Sequence, residues 1–145
     1  MERPLSFSQW AAIAGGIAIL VWSIPGLFIN PDFATGDSAT TERWLAVDMN
    51  GWHAVSGFLI AIPAFISSLR RSWSGLVNLV GAGSLYATAI WLLIDEQVAG
   101  GLLYLPNTAA DAILHIGTGS IFMAGAIHYW LVERDQDAPA VPAAQ

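Results

Sequence analysis

Cysteine and lysine are absent from this chain of 145 residues, and charged residues of all kinds make up only 11% of it. Without cysteine the chain has no disulfide, no thiolate metal site and no cysteine nucleophile. Soluble domains carry roughly 25% charged residues, so the composition argues strongly against a soluble globular domain. Five arginines against eleven carboxylates give a net charge of −6, which is the wrong sign for contacts with nucleic acid.

The few charged residues are clustered, and four long stretches between the clusters carry no charge. These stretches are 4–31, 49–69, 72–94 and 112–132, each at least 21 residues long. A helix needs about 20 mostly apolar residues to cross the hydrocarbon core of a bilayer. Hydrophobic residues make up 55% of the chain and its mean hydropathy is +0.57. The pattern predicts an all-α polytopic membrane protein with a bundle of four transmembrane helices.

The charge-free stretches also predict the bounds of the elements. We expect helices at about 7–29, 50–69, 73–94 and 110–132, with outer loops 30–49 and 95–109, in one domain over 1–134. The Pro/Ala-rich tail, 135–145, has a composition typical of disorder. Within the loops, TTERW (40–44) predicts the start of a short surface helix, and GGLLYLP (100–106) predicts an interfacial or re-entrant stretch.

The arginines indicate the orientation of the bundle. Arg3, Arg70, Arg71 and Arg134 all fall on one face if the helices run up and down, and Arg43 alone falls on the other. The positive-inside rule then places both termini in the cytoplasm. A cleaved signal peptide is disfavoured for the first helix, because its uncharged stretch is far longer than the 7–15 residues of a signal-peptide core.

Helices 2 and 4 resemble each other in sequence. HAVSGFLIA begins at His53 and HIGTGSIFM at His115, and both have a hydroxyl residue and then glycine after the histidine. A duplicated helical hairpin accounts for this and would relate helices 2 and 4 by a pseudo-twofold axis. His53 lies 17 residues before Arg70 and His115 lies 18 before Glu133, so we expect the two imidazoles at the same depth.

Further polar residues accompany the second histidine. Asn107, Asp111, His115 and Gly119 are spaced by four along helix 4 and therefore share one stripe of it. Asp111 is placed to accept a hydrogen bond from His115 and so fix the tautomer of that imidazole. Together with Asn50 at the start of helix 2, the residues Asn107, Asp111 and His115 form the predicted polar cluster.

Three interpretations of the histidine pair remain open. Both side chains can be polar contacts between helices, with Gly57 and Gly119 allowing the helices to approach closely. Alternatively, His53 and His115 bind haem or a transition metal, with Asp111 near the metal and the glycines leaving room for a ring. In the third interpretation, Asp111 and the histidines move a proton or a solute across the membrane.

Two motifs carry a resemblance to a known family. They are Asn50-Gly51-Trp52-His53 and Asn107-x-Ala109-x-Asp111-x-x-Leu114-His115-x-x-x-Gly119. The chain resembles a family of small four-helix integral membrane proteins, common in actinobacteria, that is known only as a domain of unknown function. The resemblance covers the four helices and implies fold and location but no activity. Members often have a second histidine one turn after the first in helix 2, where this chain has Gly57.

The first functional hypothesis is a non-enzymatic structural, accessory or assembly component of the cytoplasmic membrane. Its partners would be lipids and another membrane protein or a second copy, met through small-residue faces such as Ala12-x-x-x-Gly16 and Gly83-x-x-x-Ala87. The first alternative is a haem- or metal-binding membrane redox protein that uses His53 and His115. The second is a small transporter or proton-coupled channel. No nucleic-acid partner is expected.

Overall fold

The computed structural model describes residues 4–91, 93–94, 97–98, 103–106 and 108–136. They form four long helices, as predicted: α1 is Phe7–Ile29, α2 is Gly51–Ser67, α3 is Arg71–Trp91 and α4 is Ala109–His128. The chain continues from α4 through a π turn, Tyr129–Glu133, and a short 3₁₀ turn, Arg134–Gln136. A 3₁₀ turn, Gly36–Ser38, lies in the first outer loop. Arg3 and the tail from 137 onward lie outside the described residues.

Polar side chains determine where α2 and α4 begin. The Asn50 Oδ1 accepts a hydrogen bond of 2.8 Å from the backbone N–H of His53, in the first turn of α2. At the start of α4, the Asp111 carboxylate accepts from the backbone N–H of Thr108, and the Thr108 hydroxyl accepts from the backbone N–H of Asp111. These bonds satisfy N–H groups that the first turn of a helix leaves without partners.

Two short antiparallel hairpins lie in the loops that follow α1 and α3. β1, Glu42–Trp44, pairs with β2, Val47–Met49, and β3, Gln97–Val98, pairs with β4, Leu103–Tyr104. The surface helix predicted for TTERW is therefore wrong, because its last three residues form β1. Arg43 and Asp48 face each other across that hairpin, with 2.7 Å from Nε to Oδ1. Of GGLLYLP, residues 100–102 lie outside the described part of the chain, and its re-entrant character stays a prediction.

The helices pack as two neighbouring pairs. α1 packs mainly on α2, α3 packs mainly on α4, and α1 also lies against α4, which leaves α2 and α4 on a diagonal. Phe122 of α4 fills the centre of the core among small residues that include Ala12, Ala61 and Ala82. Gly16 belongs to this internal packing, since a Cβ there would lie 3.1 Å from the Phe65 ring.

The bundle is apolar outside and partly polar inside. Several small polar side chains are buried: Ser8, Ser23, Ser67, Ser74, Asn78 and Thr118. Large apolar side chains are exposed on every helix, among them Phe28, Leu59, Ile90 and Ile113. Two described helical segments, Phe7–Ile29 and Ala109–Gln136, are long and apolar enough to cross a membrane, and α2 is apolar but has 17 residues.

Candidate functional site

A cavity opens inside the bundle near the end that carries the loops. Its empty volume is about 670 Å³, including the part that is open to solvent. Apolar side chains from the helices and from both loops form most of its wall: Ile19, Trp22, Val47, Met49, Ile60, Leu85, Leu105 and Leu114. Its polar lining consists of Ser23, His53, Ser56, Thr88, Asp111, His115 and Thr118. A largely apolar cavity with a few polar groups is the usual form of a small-molecule site.

The two predicted histidines meet in this cavity. Their ring centroids are 5.8 Å apart and the ring planes are tilted by 42°. The Nδ1 of His53 lies 3.1 Å from the backbone carbonyl oxygen of Asp48, and because a carbonyl only accepts, this nitrogen carries the proton. In the neutral imidazole, the Nε2 of His53 is then an acceptor. The Nδ1 of His115 is buried and has no hydrogen-bond partner among the described residues.

Asp111 lines the same cavity, but it does not form the predicted hydrogen bond with His115. Its Oδ2 instead accepts from the backbone N–H of Thr108 at 2.8 Å and from the Thr108 hydroxyl at 2.7 Å. Asp111 is the third residue of α4, and because its carboxylate reaches back to Thr108, it turns away from His115 one turn ahead. The side chain is only 1% exposed, and its Oδ1 has no partner within the described part of the chain.

The asparagines of the predicted cluster have separate positions. Asn50 is buried, and besides capping α2 it donates from Nδ2 to the backbone carbonyl of Tyr104 at 2.7 Å. This bond ties the start of α2 to the loop before α4, next to Leu105 of the cavity wall. Asn107 lies outside the described residues.

Gly57 and Gly119 lie at close contacts between helices, and Gly57 also lines the cavity. A Cβ at Gly57 would overlap the Ser23 hydroxyl of α1, and a Cβ at Gly119 would lie 2.9 Å from the Tyr86 ring of α3. Within the described ranges, no three His, Asp or Glu side chains are grouped as metal ligands. Binding of haem or a metal by His53, His115 and Asp111 stays a prediction.

The loops at the cavity end carry carboxylates with local partners. Hydrogen bonds from Arg43 lower the pKa of Asp48 against the smaller opposing effect of its partial burial. The Thr40 hydroxyl, followed by the backbone N–H groups of Ala34 and Thr40, lowers the pKa of Asp32. Both groups therefore stay ionised at neutral pH, and this end of the bundle is negatively charged. Arg43 is already paired with Asp48, and no arginine of the described ranges lines the cavity.

A second polar cluster at the opposite end of the bundle was not predicted from the sequence. Glu133 is buried against α1, and its Oε2 accepts a hydrogen bond of 2.5 Å from the Ser8 hydroxyl. His128 Nδ1 lies 2.9 Å from its Oε1, and Arg71 Nε lies 3.8 Å from its Oε2. The sequence marks Glu133 only as the charge that ends the fourth charge-free stretch.

Comparison with known proteins gives one match. A family model described as "Domain of unknown function (DUF4383)" matches residues 9–128. The match begins in α1 and ends at the last residue of α4, so it contains the cavity and leaves out the tail. No curated protein and no solved structure gives a match. The resemblance to a domain family of unknown function is thus confirmed.

Proposed function

The chain belongs to the DUF4383 family, whose description assigns no function, and we propose that it is a four-span membrane protein that binds a small ligand. The membrane would be the bacterial cytoplasmic membrane, with both termini inside. The binding site would be the cavity around His53, Asp111 and His115. In this proposal the chain holds the ligand without transforming it, as a non-enzymatic component of the membrane.

The inverted distribution of polarity supports a membrane location for all four helices. Water would penalise the exposed apolar side chains of every helix, whereas lipid accepts them. Bundles in lipid use small residues at helix contacts and polar side chains in the interior, as found at Gly57, Ser74 and Asn78. The 17 residues of α2 span about 26 Å at about 1.5 Å per residue. A bilayer thins locally around a helix that is slightly short.

The distribution of arginines supports the orientation. Arg70, Arg71 and Arg134 lie at the end opposite the cavity, and Arg43 lies at the cavity end. We expect a reporter fused after Gln145 to be active only in the cytoplasm, because cytoplasmic loops carry the excess of arginine. A reporter inserted after Asp37 is expected to be active only outside. Activity of both reporters on the same side would contradict the four-span topology.

Asp111 carries the proposal that the cavity is a binding site. Capping α4 explains its Oδ2, but not why a carboxylate is buried with its other oxygen unpartnered among the residues that the structure describes. A buried polar group without a hydrogen bond costs about 1–3 kcal/mol, and the Nδ1 of His115, in the same cavity, adds a second one. Ionisable residues inside a membrane segment usually mark a functional site. A ligand that contacts both groups would remove these costs.

The test is to purify the chain from its native membrane in lipid nanodiscs and to record native mass spectra. We expect a small non-lipid molecule bound to the wild type and lost from His115→Leu and Asp111→Asn. The matched control is His128→Gln, because His128 lies at the other end of the bundle and the variant should keep the molecule. A wild type without any bound molecule would contradict ligand binding and favour the structural or accessory role. Absorption spectra and elemental analysis of the same sample identify haem or a metal.

A further inference from the structure

We propose that the ligand is an amphipathic organic cation, an amine that carries N–H donors and a positive charge on an apolar body. This inference depends on the proposed function, because it concerns the same cavity. It follows from the apolar lining of the cavity, the direction of the hydrogen bonds in its wall, and the sign of the charges around it.

The wall of the cavity favours an organic molecule over a lone metal ion. Most of the side chains that line it are apolar, and a largely apolar wall with a few polar groups suits an organic ligand. Trp22, Ile60 and Leu85 are among the residues that give it an apolar wall. A metal ion would use only the polar end and would need a third protein ligand, which the described residues do not group with the histidines.

The polar end of the cavity offers acceptors, and two of its hydroxyl donors are used elsewhere. The Ser56 hydroxyl donates to the backbone carbonyl of His53 at 2.8 Å, and the Thr88 hydroxyl donates to the carbonyl of Ser84 at 2.8 Å. His53 donates from Nδ1 to the Asp48 carbonyl, which leaves Nε2 as an acceptor in the neutral ring. With the Oδ1 of Asp111, which has no partner among the described residues, these groups match a ligand that supplies hydrogen-bond donors.

The charges near the cavity favour a cation. Asp111 is the carboxylate in the wall, and Arg43, whose charge reaches Asp111, is paired with Asp48 at 2.7 Å. The loops at the cavity end add Asp32 and Glu42, and the whole chain has a net charge of −6. A cleft lined by one sign of charge attracts ligands of the opposite sign. The Trp22 ring adds an aromatic face of the kind that ammonium groups contact.

The experiment measures binding of 4-phenylbutylamine by calorimetry to the full chain in nanodiscs of neutral lipid, with empty nanodiscs as the blank. The comparison ligand is 4-phenylbutan-1-ol, which keeps the apolar body and loses the charge. We expect the amine to bind at least about tenfold more tightly than the alcohol. Asp111→Asn should lose at least about tenfold in amine affinity, because it keeps an acceptor for the cap but removes the negative charge. Asp37→Asn, an exposed loop carboxylate, should bind as the wild type does.

Three results would overturn the ligand class. Equal binding of amine and alcohol would show an apolar ligand, and unchanged amine binding by Asp111→Asn would show that the carboxylate does not select it. Zinc chloride that binds the wild type, but not His53→Ala or His115→Ala, would show a metal site instead. The proposed function has its own test: it is contradicted if native preparations of the wild type hold no bound molecule, whatever the amine experiment shows. Should Asp111→Asn fail to fold, Thr88→Leu tests the same cavity, since added volume there should abolish amine binding.

Discussion

Replacing Phe122 by alanine is expected to lower the free energy of unfolding by about 3 kcal/mol, among the larger effects of a single substitution in this chain. Phe122 is 0% exposed and lies in the middle of α4. A Cβ built at Gly15 would lie 2.6 Å from its ring, and one at Gly81 would lie 3.5 Å from it. Because these neighbours have no side chains that could move into the space, the substitution leaves a cavity.

The lipid around the bundle lowers the expected cost of Phe122→Ala. Phe→Ala substitutions in protein cores cost about 3–5 kcal/mol, of which one part is transfer from water and one part is lost packing. In lipid the transfer part is smaller, because the reference solvent is itself apolar. The packing part remains, so we expect a value near the lower end of the range.

Unfolding of the chain in mixed micelles by increasing denaturing detergent measures this effect. Phe28→Ala is the matched control, because Phe28 is 83% exposed on α1 and the chemical change is the same. Its effect should be within about 0.5 kcal/mol of zero. Similar destabilisation by both substitutions would contradict the placement of Phe122 at the centre of the bundle.

The helices and the meeting of the histidines follow from simple regularities of the sequence. Charges are expensive in apolar surroundings, so charge-free stretches indicate α1 to α4 without any knowledge of their packing. Counting residues from the same end of α2 and α4 predicts His53 and His115 at one depth, and the structure places their rings 5.8 Å apart. Because the rise per residue in a helix is constant, equal residue counts give equal depths along the two helices.

The local partners of the polar residues could not be predicted in the same way. Asp111 can accept either from Thr108 behind it or from His115 ahead of it, and the sequence spacing suits both. The cap prevails because the first turn of α4 contains N–H groups that otherwise have no acceptor. Likewise, residues 42–44 form a strand because they pair with β2. The sequence of this segment does not reveal that pairing.

The role of Glu133 illustrates a contact between distant parts of the chain that only the fold reveals. Its carboxylate is 3% exposed and connects three helices: Ser8 lies at the start of α1, Arg71 begins α3, and His128 ends α4. The Ser8 backbone N–H, 3.1 Å from Oε1, lies in the first turn of α1 and has no partner within the helix. Glu133 therefore caps α1 from a position 125 residues away in the sequence.

Replacing Glu133 by alanine is expected to lower the free energy of unfolding by about 3 kcal/mol, since a charged hydrogen bond contributes about 1.5–3 kcal/mol and several are lost together. Glu133→Gln should cost less than half of that, because its amide oxygen still accepts from Ser8. Asp135→Ala is the control, since the Asp135 side chain is 89% exposed two residues further on. The same detergent titration measures all three variants. If Glu133→Ala and Asp135→Ala lower the free energy of unfolding equally, the Glu133 carboxylate does not hold the three helices together. A small loss for Glu133→Gln and a larger one for Glu133→Ala would show that the acceptor and the charge both contribute.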